Sequence, residues 1–365
     1  MIISRTPFRI SFFGGGTDYA AWYRENNGAV LSTTIDKYCY IFCRFLPPFF
    51  EHKTRIVYSK VELVNSCDEI RHPAVREILK SMKIEEGVEI HHDGDLPARA
   101  GLGSSSSFTV GLLHALYALR RRMPSKRELA LEAIRIEREI LKECGGIQDQ
   151  VAAAFGGFNK TVFFKENDFL PSPVILEQER LSEFQSHLML FFTGFSRFSS
   201  EIAEKKEANI PHRKAELMRM SEMVDEGLSI LKGREDLAKF GTLMDESWKL
   251  KRSLASTVSN GQLDSLYQAA MEAGALGGKL LGAGGGGFLL IFARPSDQAK
   301  IKEKLKGLFT VPFQFEKNGS QIIFYEPSMQ KTRDADFFKL PERIITPSCE
   351  NAFPASFPSV SLDVS

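Results

Sequence analysis

The stretch GDLPARAGLGSSSSFTVGLLHAL, Gly94 to Leu116, changes character halfway along. A turn-forming start gives way to Gly101-Leu102-Gly103, then to four serines, then to an apolar run whose helical periodicity spans Ser105 to Arg121. The first N–H groups of a helix lack partners within it, and the aligned peptide dipoles leave partial positive charge there. Glycines let the backbone approach an anion and take up conformations closed to other residues. Gly101, Gly103 and Ser104, Ser105, Ser106 and Ser107 therefore form an expected phosphate cradle, and their hydroxyls suit Mg²⁺, a hard ion that prefers oxygen. The alternative is that Ser104 merely caps the helix. One cap accounts for one serine, not for two glycines and four serines.

Outward from this loop the chain alternates strand and helix. Residues 1–65 hold strand-like runs, MIISRTPFRISFF, GAVLSTTI, YCYIFCRFL and TRIVYSKVEL, rich in β-branched and aromatic residues and punctuated by Gly and Pro. HPAVREILKSM reads as a short helix and GVEIHHDGDLP as a strand ending in a turn. His91 and His92 are neighbours in that strand, so they point to opposite faces and do not suggest a metal pair. SKRELALEAIRIEREILKE, residues 125–143, is a helix opened by a Ser125/Glu128 capping box. AAAFGGFNKTVFF turns back toward strand, and HLMLFFTGF, 187–195, is a buried strand followed by a long charged helical section.

A second glycine cluster, GAGGGG, contains GxGxxG at Gly282, Gly284 and Gly287. A dinucleotide fingerprint needs a strand before it and a helix after it. Here MEAGALGGKLL reads as helix and FLLIFA as strand, the reverse order, so a dinucleotide fold is excluded. The serine loop is not a Walker A loop either, since GxxxxGK[ST] is absent there.

The 365 residues suffice for two domains. Lys and Arg number 47 against 46 Asp and Glu, a balance that argues against nucleic acid or an anionic membrane as partner. The arginine-bearing N-terminus does not read as a signal peptide, and apolar runs fall short of the roughly 20 residues of a membrane span. A cytoplasmic protein is expected. Five cysteines, at 39, 43, 67, 144 and 349 and without CxxC, are expected as buried, reduced thiols.

Three stretches, PFRISFFGGGTDY (7–19), LPARAGLGSSSSFTVGLL (96–113) and GGKLLGAGGGGF (277–288), resemble in order and spacing the three motifs of the GHMP small-molecule kinases. Pro97 to Ser105, Leu102 included, match that family's PxxxGLGSS pattern. With GAVLSTTIDKYCYI and GGIQDQVAAAFGGFN, the set is most similar to a group within that family, the D-glycero-D-manno-heptose 7-phosphate kinases. The resemblance implies an α+β fold of two domains: a ribosomal protein S5 domain 2-like N-terminal domain, residues 1–185, and a ferredoxin-like C-terminal domain, residues 186–327. Residues 328–365, rich in Pro, Ser and Phe, form an irregular extension. It further implies ATP and Mg²⁺, a sugar phosphate acceptor phosphorylated at its anomeric O1, and a cleft site. Gly15-Gly16 stand where galactokinases carry Glu-His, which argues against galactose. A fucokinase-like 1-kinase and a non-catalytic sensor of the same fold remain the alternatives, and a homodimer stays open.

By the same resemblance Asp149 is the base or orienting residue for the acceptor hydroxyl, with Arg9 beside it. On sequence alone Asp149 also reads as a helix N-cap. Glu137 and Ser105 are the implied Mg²⁺ ligands, with a slip to Glu139 left open. Gly14, Gly15, Gly16 and Thr17 would floor the sugar pocket, Asp18 would bond sugar hydroxyls, and Asp36 and Lys37 would face the same pocket. Gly284 and Gly285, with Lys279, belong to the third motif. Arg197 is the candidate for a distal phosphate because its fork matches phosphate geometry. Arg99 departs from the group's usual smaller residue, and reads equally as a phosphate contact or as exposed loop.

Overall fold

The structure, a computed structural model, describes residues 1–98, 101–194, 199–255 and 257–326. Arg99, Arg197, Cys349 and the expected extension from 328 lie outside the described residues. Met1–Ser328 forms one compact unit.

β1 (Ile2–Phe13) and β2 (Gly28–Phe45) form an antiparallel pair over nearly the whole length of β1. Two short strands, β3 (Thr54–Val57) and β4 (Val61–Val64), make a hairpin where a single run was expected. β5 (Val88–Gly94), β6 (Phe158–Phe163) and β7 (Phe169–Pro173) extend the sheet. β8 (Leu188–Phe192), β9 (Ala275–Leu280), β10 (Phe288–Ala293) and β11 (Phe309–Thr310) form a second, four-stranded sheet in the order β11-β8-β10-β9. The chain then returns to the first sheet: β12 (Phe315–Glu316) pairs with β2 and β13 (Gln321–Tyr325) with β1.

The two strands expected at 28–35 and 38–46 are one strand. Pro7 has no N–H to give the ladder, and the β1–β2 register shifts there: Pro7 faces Tyr38 while Phe8 faces Ile35. Asp36 and Lys37 fall in that bulge. Asp36 N donates instead to Gln314 O, and Gln314 N to Asp36 Oδ1, so the strand continues.

Helix α1 (Ala20–Asn26) follows β1, and α2 (Pro73–Ser81) precedes β5. α3 (Ser104–Leu119) is buried nearly all round, which explains its apolar composition on every face. α4 (Lys126–Ile134) starts at the expected capping box, with Ser125 accepting from Glu128 N and Glu128 reaching back to Ser125 N. It does not run on to 143, because Arg135–Ile140 is a π-helical turn. α5 (Gln148–Phe155) leads into β6. Further along come α6 (Gln178–Ser186), α7 (Ser199–Asn209), α8 (Lys214–Lys232), α9 (Ala238–Leu254), α10 (Gly261–Glu272) and α11 (Gln298–Lys304).

The segment before the second glycine cluster is a strand, not the expected helix: α10 ends at Glu272 and ALGGKL is β9. Five of these six residues are Ala, Leu or Gly, and the helical reading gives way to pairing with the wholly buried β10. The cluster thus joins two strands, and a dinucleotide fingerprint stays excluded. Phenylalanines knit the unit together: Phe12 of β1, Phe184 of α6 and Phe240 of α9 pack edge to face with ring centres 4.8–5.7 Å apart, and Phe292 of β10 joins them. Cys39 and Cys43 are buried as expected, but Cys144 is exposed. Among the described residues no helix is long and apolar enough to cross a membrane.

Candidate active site

Arg9, in β1, is 5% exposed, and all three guanidinium nitrogens are engaged. Nε donates to Asp149 Oδ1 and Nη2 to Asp149 Oδ2, each at 2.8 Å, while Nη1 donates to Gly101 O at 2.8 Å. The planar fork fixes both position and tilt of the carboxylate, as a single contact cannot. Asp149 lies in the first turn of α5, but Ile147 holds the N-cap position and no side chain caps that helix. The capping alternative for Asp149 therefore fails, and its side chain keeps 23% of its surface exposed.

Gly103 closes the group from the third side. Its φ is +76°, and a Cβ there would stand 3.3 Å from Arg9 Cγ and 3.4 Å from Asp149 Cγ. Both the left-handed backbone and the close approach call for glycine. Gly103 is also the N-cap of α3, without a side-chain cap bond, so Ser104 is not the cap. The four serines divide. Ser106 Oγ donates to Glu137 Oε2 and Ser107 Oγ to Pro7 O, each at 2.9 Å and buried. Ser105 is exposed and Ser104 half-buried at the mouth of the loop, while Pro97 is exposed and Leu102 buried.

Glu137 sits in the π turn, 1% exposed, while Glu139 faces solvent. Gln150 Nε2 and Ser106 Oγ both donate to Glu137 Oε2. Oε1 is buried with no well-formed hydrogen bond, although the Thr109 hydroxyl of α3 is near enough to favour the charged carboxylate. Burial pushes the carboxyl up from its usual range, against the pull of Arg138, 3.7 Å away. A buried carboxylate with an oxygen to spare and the Ser106 hydroxyl of α3 beside it fits a Mg²⁺ that takes its other ligands from phosphates and water. The hydroxyl that reaches Glu137 is that of Ser106, one residue beyond Ser105.

The first glycine loop is a tight turn. Gly14 has φ +82°, and a Cβ would lie 1.9 Å from Ala29 O. Thr17 Oγ1 lies 2.8 Å from Gly14 O and accepts from Ala29 N. Asp18, 1% exposed, accepts from Gly16 N and from Gln148 Nε2, both at 2.8 Å. Its carboxylate is thus engaged in bracing the loop against the start of α5, next to Asp149. Gly15 opens toward Gln148 and Ser11. Asp36 and Lys37 pair with each other at 3.1 Å, and Asp36 also bonds Gln314 at the β2–β12 edge; neither pairs with Arg9 or Asp149.

The third glycine loop touches the second. A Cβ on Gly101 would lie 2.5 Å from Leu281 O, and one on Gly282 2.4 Å from Gly101 Cα. Gly284 packs against Val258, and Gly285 N donates to Val258 O. Lys279 Nζ donates to Phe12 O, next to the first loop. Lys251, Gln148 and Gln150 escape the sequence reading. Spacing offers a signal for Lys251: with Phe240, Met244, Trp248 and Leu254 it falls on the buried stripe of α9.

The assembly thus places an anchored carboxylate beside an uncapped helix start, the arrangement needed to orient a hydroxyl toward a bound phosphate. Two family models match the chain, the GHMP kinases N terminal domain over residues 69–157 and the GHMP kinases C terminal over 229–310. A D-glycero-alpha-D-manno-heptose 7-phosphate kinase of Campylobacter jejuni is 29% identical over 336 residues, 87% of this chain and 97% of its own. A bifunctional fucokinase/GDP-fucose pyrophosphorylase of Arabidopsis thaliana is 27% identical over 227 residues, 60% of this chain and 21% of its own. Among solved structures, a D-glycero-D-manno-heptose 1-phosphate kinase from Bacteriodes thetaiotaomicron superposes with a TM-score of 0.70 at 25% identity, covering 88% of this chain and 98% of that one.

Proposed function

We propose that this chain, a phosphotransferase acting on a sugar hydroxyl whose two halves match the GHMP kinase N- and C-terminal family models, takes as its acceptor the anomeric O1 of D-glycero-D-manno-heptose 7-phosphate. The γ-phosphoryl of ATP is the donor and the 1,7-bisphosphate the product, which suits a cytoplasmic route to GDP-heptose and surface polysaccharide. The substrate rests on similarity to the Campylobacter kinase along nearly the full length of both chains. The fucokinase reading has a shorter match as its support. The chemistry rests on one observation, the Arg9–Asp149 pair wedged against Gly103. A sensor that only binds would not need that pair.

Arg9 holds the Asp149 carboxylate in one orientation, with its exposed side toward the acceptor. The sugar hydroxyl donates to Asp149 and gives up its proton as O1 bonds to the γ-phosphorus and the bond to the β-phosphate oxygen breaks. First-turn N–H groups of α3 and the Gly101–Ser105 backbone receive the phosphates and carry no proton in the step. Mg²⁺, held by Glu137 with a hydroxyl of Ser105 or Ser106, would neutralise phosphate charge when bound.

Asp149→Asn keeps the shape and removes the base. Turnover should fall on the order of 10² to 10⁴ while ATP binding, measured by calorimetry, stays within about threefold. Turnover at the wild-type level would remove Asp149 from the reaction.

A further inference from the structure

Lys251 is 4% exposed on α9, on a helix face otherwise lined by Phe240, Met244 and Trp248. Its Nζ donates to Leu280 O at 2.7 Å and to Gly282 O at 2.6 Å, and stands 5.8 Å from the centre of the Trp248 ring. Burying an ammonium is costly unless it is well bonded, so carbonyls on the third glycine loop hold it as firmly as it holds them. Those two carbonyls bracket Leu281. Leu281 O and the Gly282 backbone are the atoms that leave no room for a side chain on Gly101. Gly101 O accepts from Arg9 Nη1, and the other two Arg9 nitrogens bind Asp149.

We propose that Lys251 is a positioning residue for phosphoryl transfer, acting through Gly282, Gly101 and Arg9 on the Asp149 carboxylate. Each link is short and directional. Leu281–Gly282 meets Gly101 at backbone contact, where a displacement on one side must move the other. Without the ammonium, the carbonyls at 280 and 282 lose their buried donor and the loop turns to find another. Gly101 O then shifts, and Arg9 loses one of the three bonds that set its tilt.

The inference rests on the assigned role of Asp149, and the test separates the two. Turnover is measured on whichever sugar the wild-type chain phosphorylates, for Lys251→Met, Asp149→Asn and the double variant, with Lys249→Met as control. Lys249 lies on the exposed face of the same helix and pairs with Asp245, away from the loop. Lys251→Met should lower kcat about tenfold or more and change the sugar KM less than about threefold, with Lys249→Met unchanged. In the Asp149→Asn background the same substitution should cost almost nothing further, because the carboxylate it orients is gone. Lys251→Arg, which keeps a cation and donors, should recover part of the loss, and Lys251→Gln replaces Lys251→Met in the cycle if the latter does not fold. Full kcat in Lys251→Met, or losses that multiply in the double variant, would overturn the relay. A nearly unchanged Asp149→Asn would instead overturn the role of Asp149.

Discussion

At Gly103 a single backbone angle joins the phosphate loop to the chemistry. The residue must have positive φ to start α3, and its missing side chain leaves Arg9 and Asp149 room to meet. Gly103→Ala adds a methyl that both partners must yield to by a few tenths of an ångström, in a conformation that L-residues resist. Turnover should drop on the order of ten- to a hundredfold, with melting changed far less, as read by steady-state kinetics beside thermal unfolding. Unaltered turnover would mean that the pair tolerates the methyl and is less tightly set than the contacts require. At this scale much of the site is legible in the sequence, because glycines and a lone aspartate after GIQ carry strong local constraints. Asp18 is the exception. The resemblance implies sugar contact for it, and only the fold brings Gly16 N and Gln148 to its oxygens.

Elements were legible where the local signal and the tertiary setting agree, as in α3 with its glycine start and in the Ser125 cap. They were not where pairing overrides propensity, as in β9, or where an inserted π turn carries Glu137 inward from a charged helix face. The helix α3 also carries a group that the reaction does not use. His114 is buried at 6% exposure, with Nδ1 3.0 Å from Ser320 Oγ, and burial pushes it down from 6.5 to about 4. The unfolded chain binds a proton there that the folded chain refuses. Stability is therefore full above about pH 6.5 and is lost as pH falls toward about 4. Near pH 5 the loss should be on the order of 2 kcal/mol. Urea midpoints at neutral and acid pH should fall less for His114→Gln than for wild type over that window. Equal slopes would show that His114 does not set the acid sensitivity.

For the whole molecule, the three glycine loops are far apart in sequence, and their contacts arise from how the two sheets share one unit. The alternation of strands and helices announces a mixed fold, but not that β12 and β13 return from the far end of the chain to close the first sheet. Contacts between residues some 180 or more positions apart, such as Gly101 with Gly282 and Lys279 with Phe12, have no local signature. Substrate choice belongs to this scale too, since it depends on every loop around the acceptor. The most direct test is coupled ATP turnover with Mg²⁺ on D-glycero-D-manno-heptose 7-phosphate, the unphosphorylated heptose, fucose, galactose and mannose. Turnover on the 7-phosphate well above all the free sugars is the expected result. Turnover on a free sugar in its place, or none on any of them with ATP still bound, would contradict it.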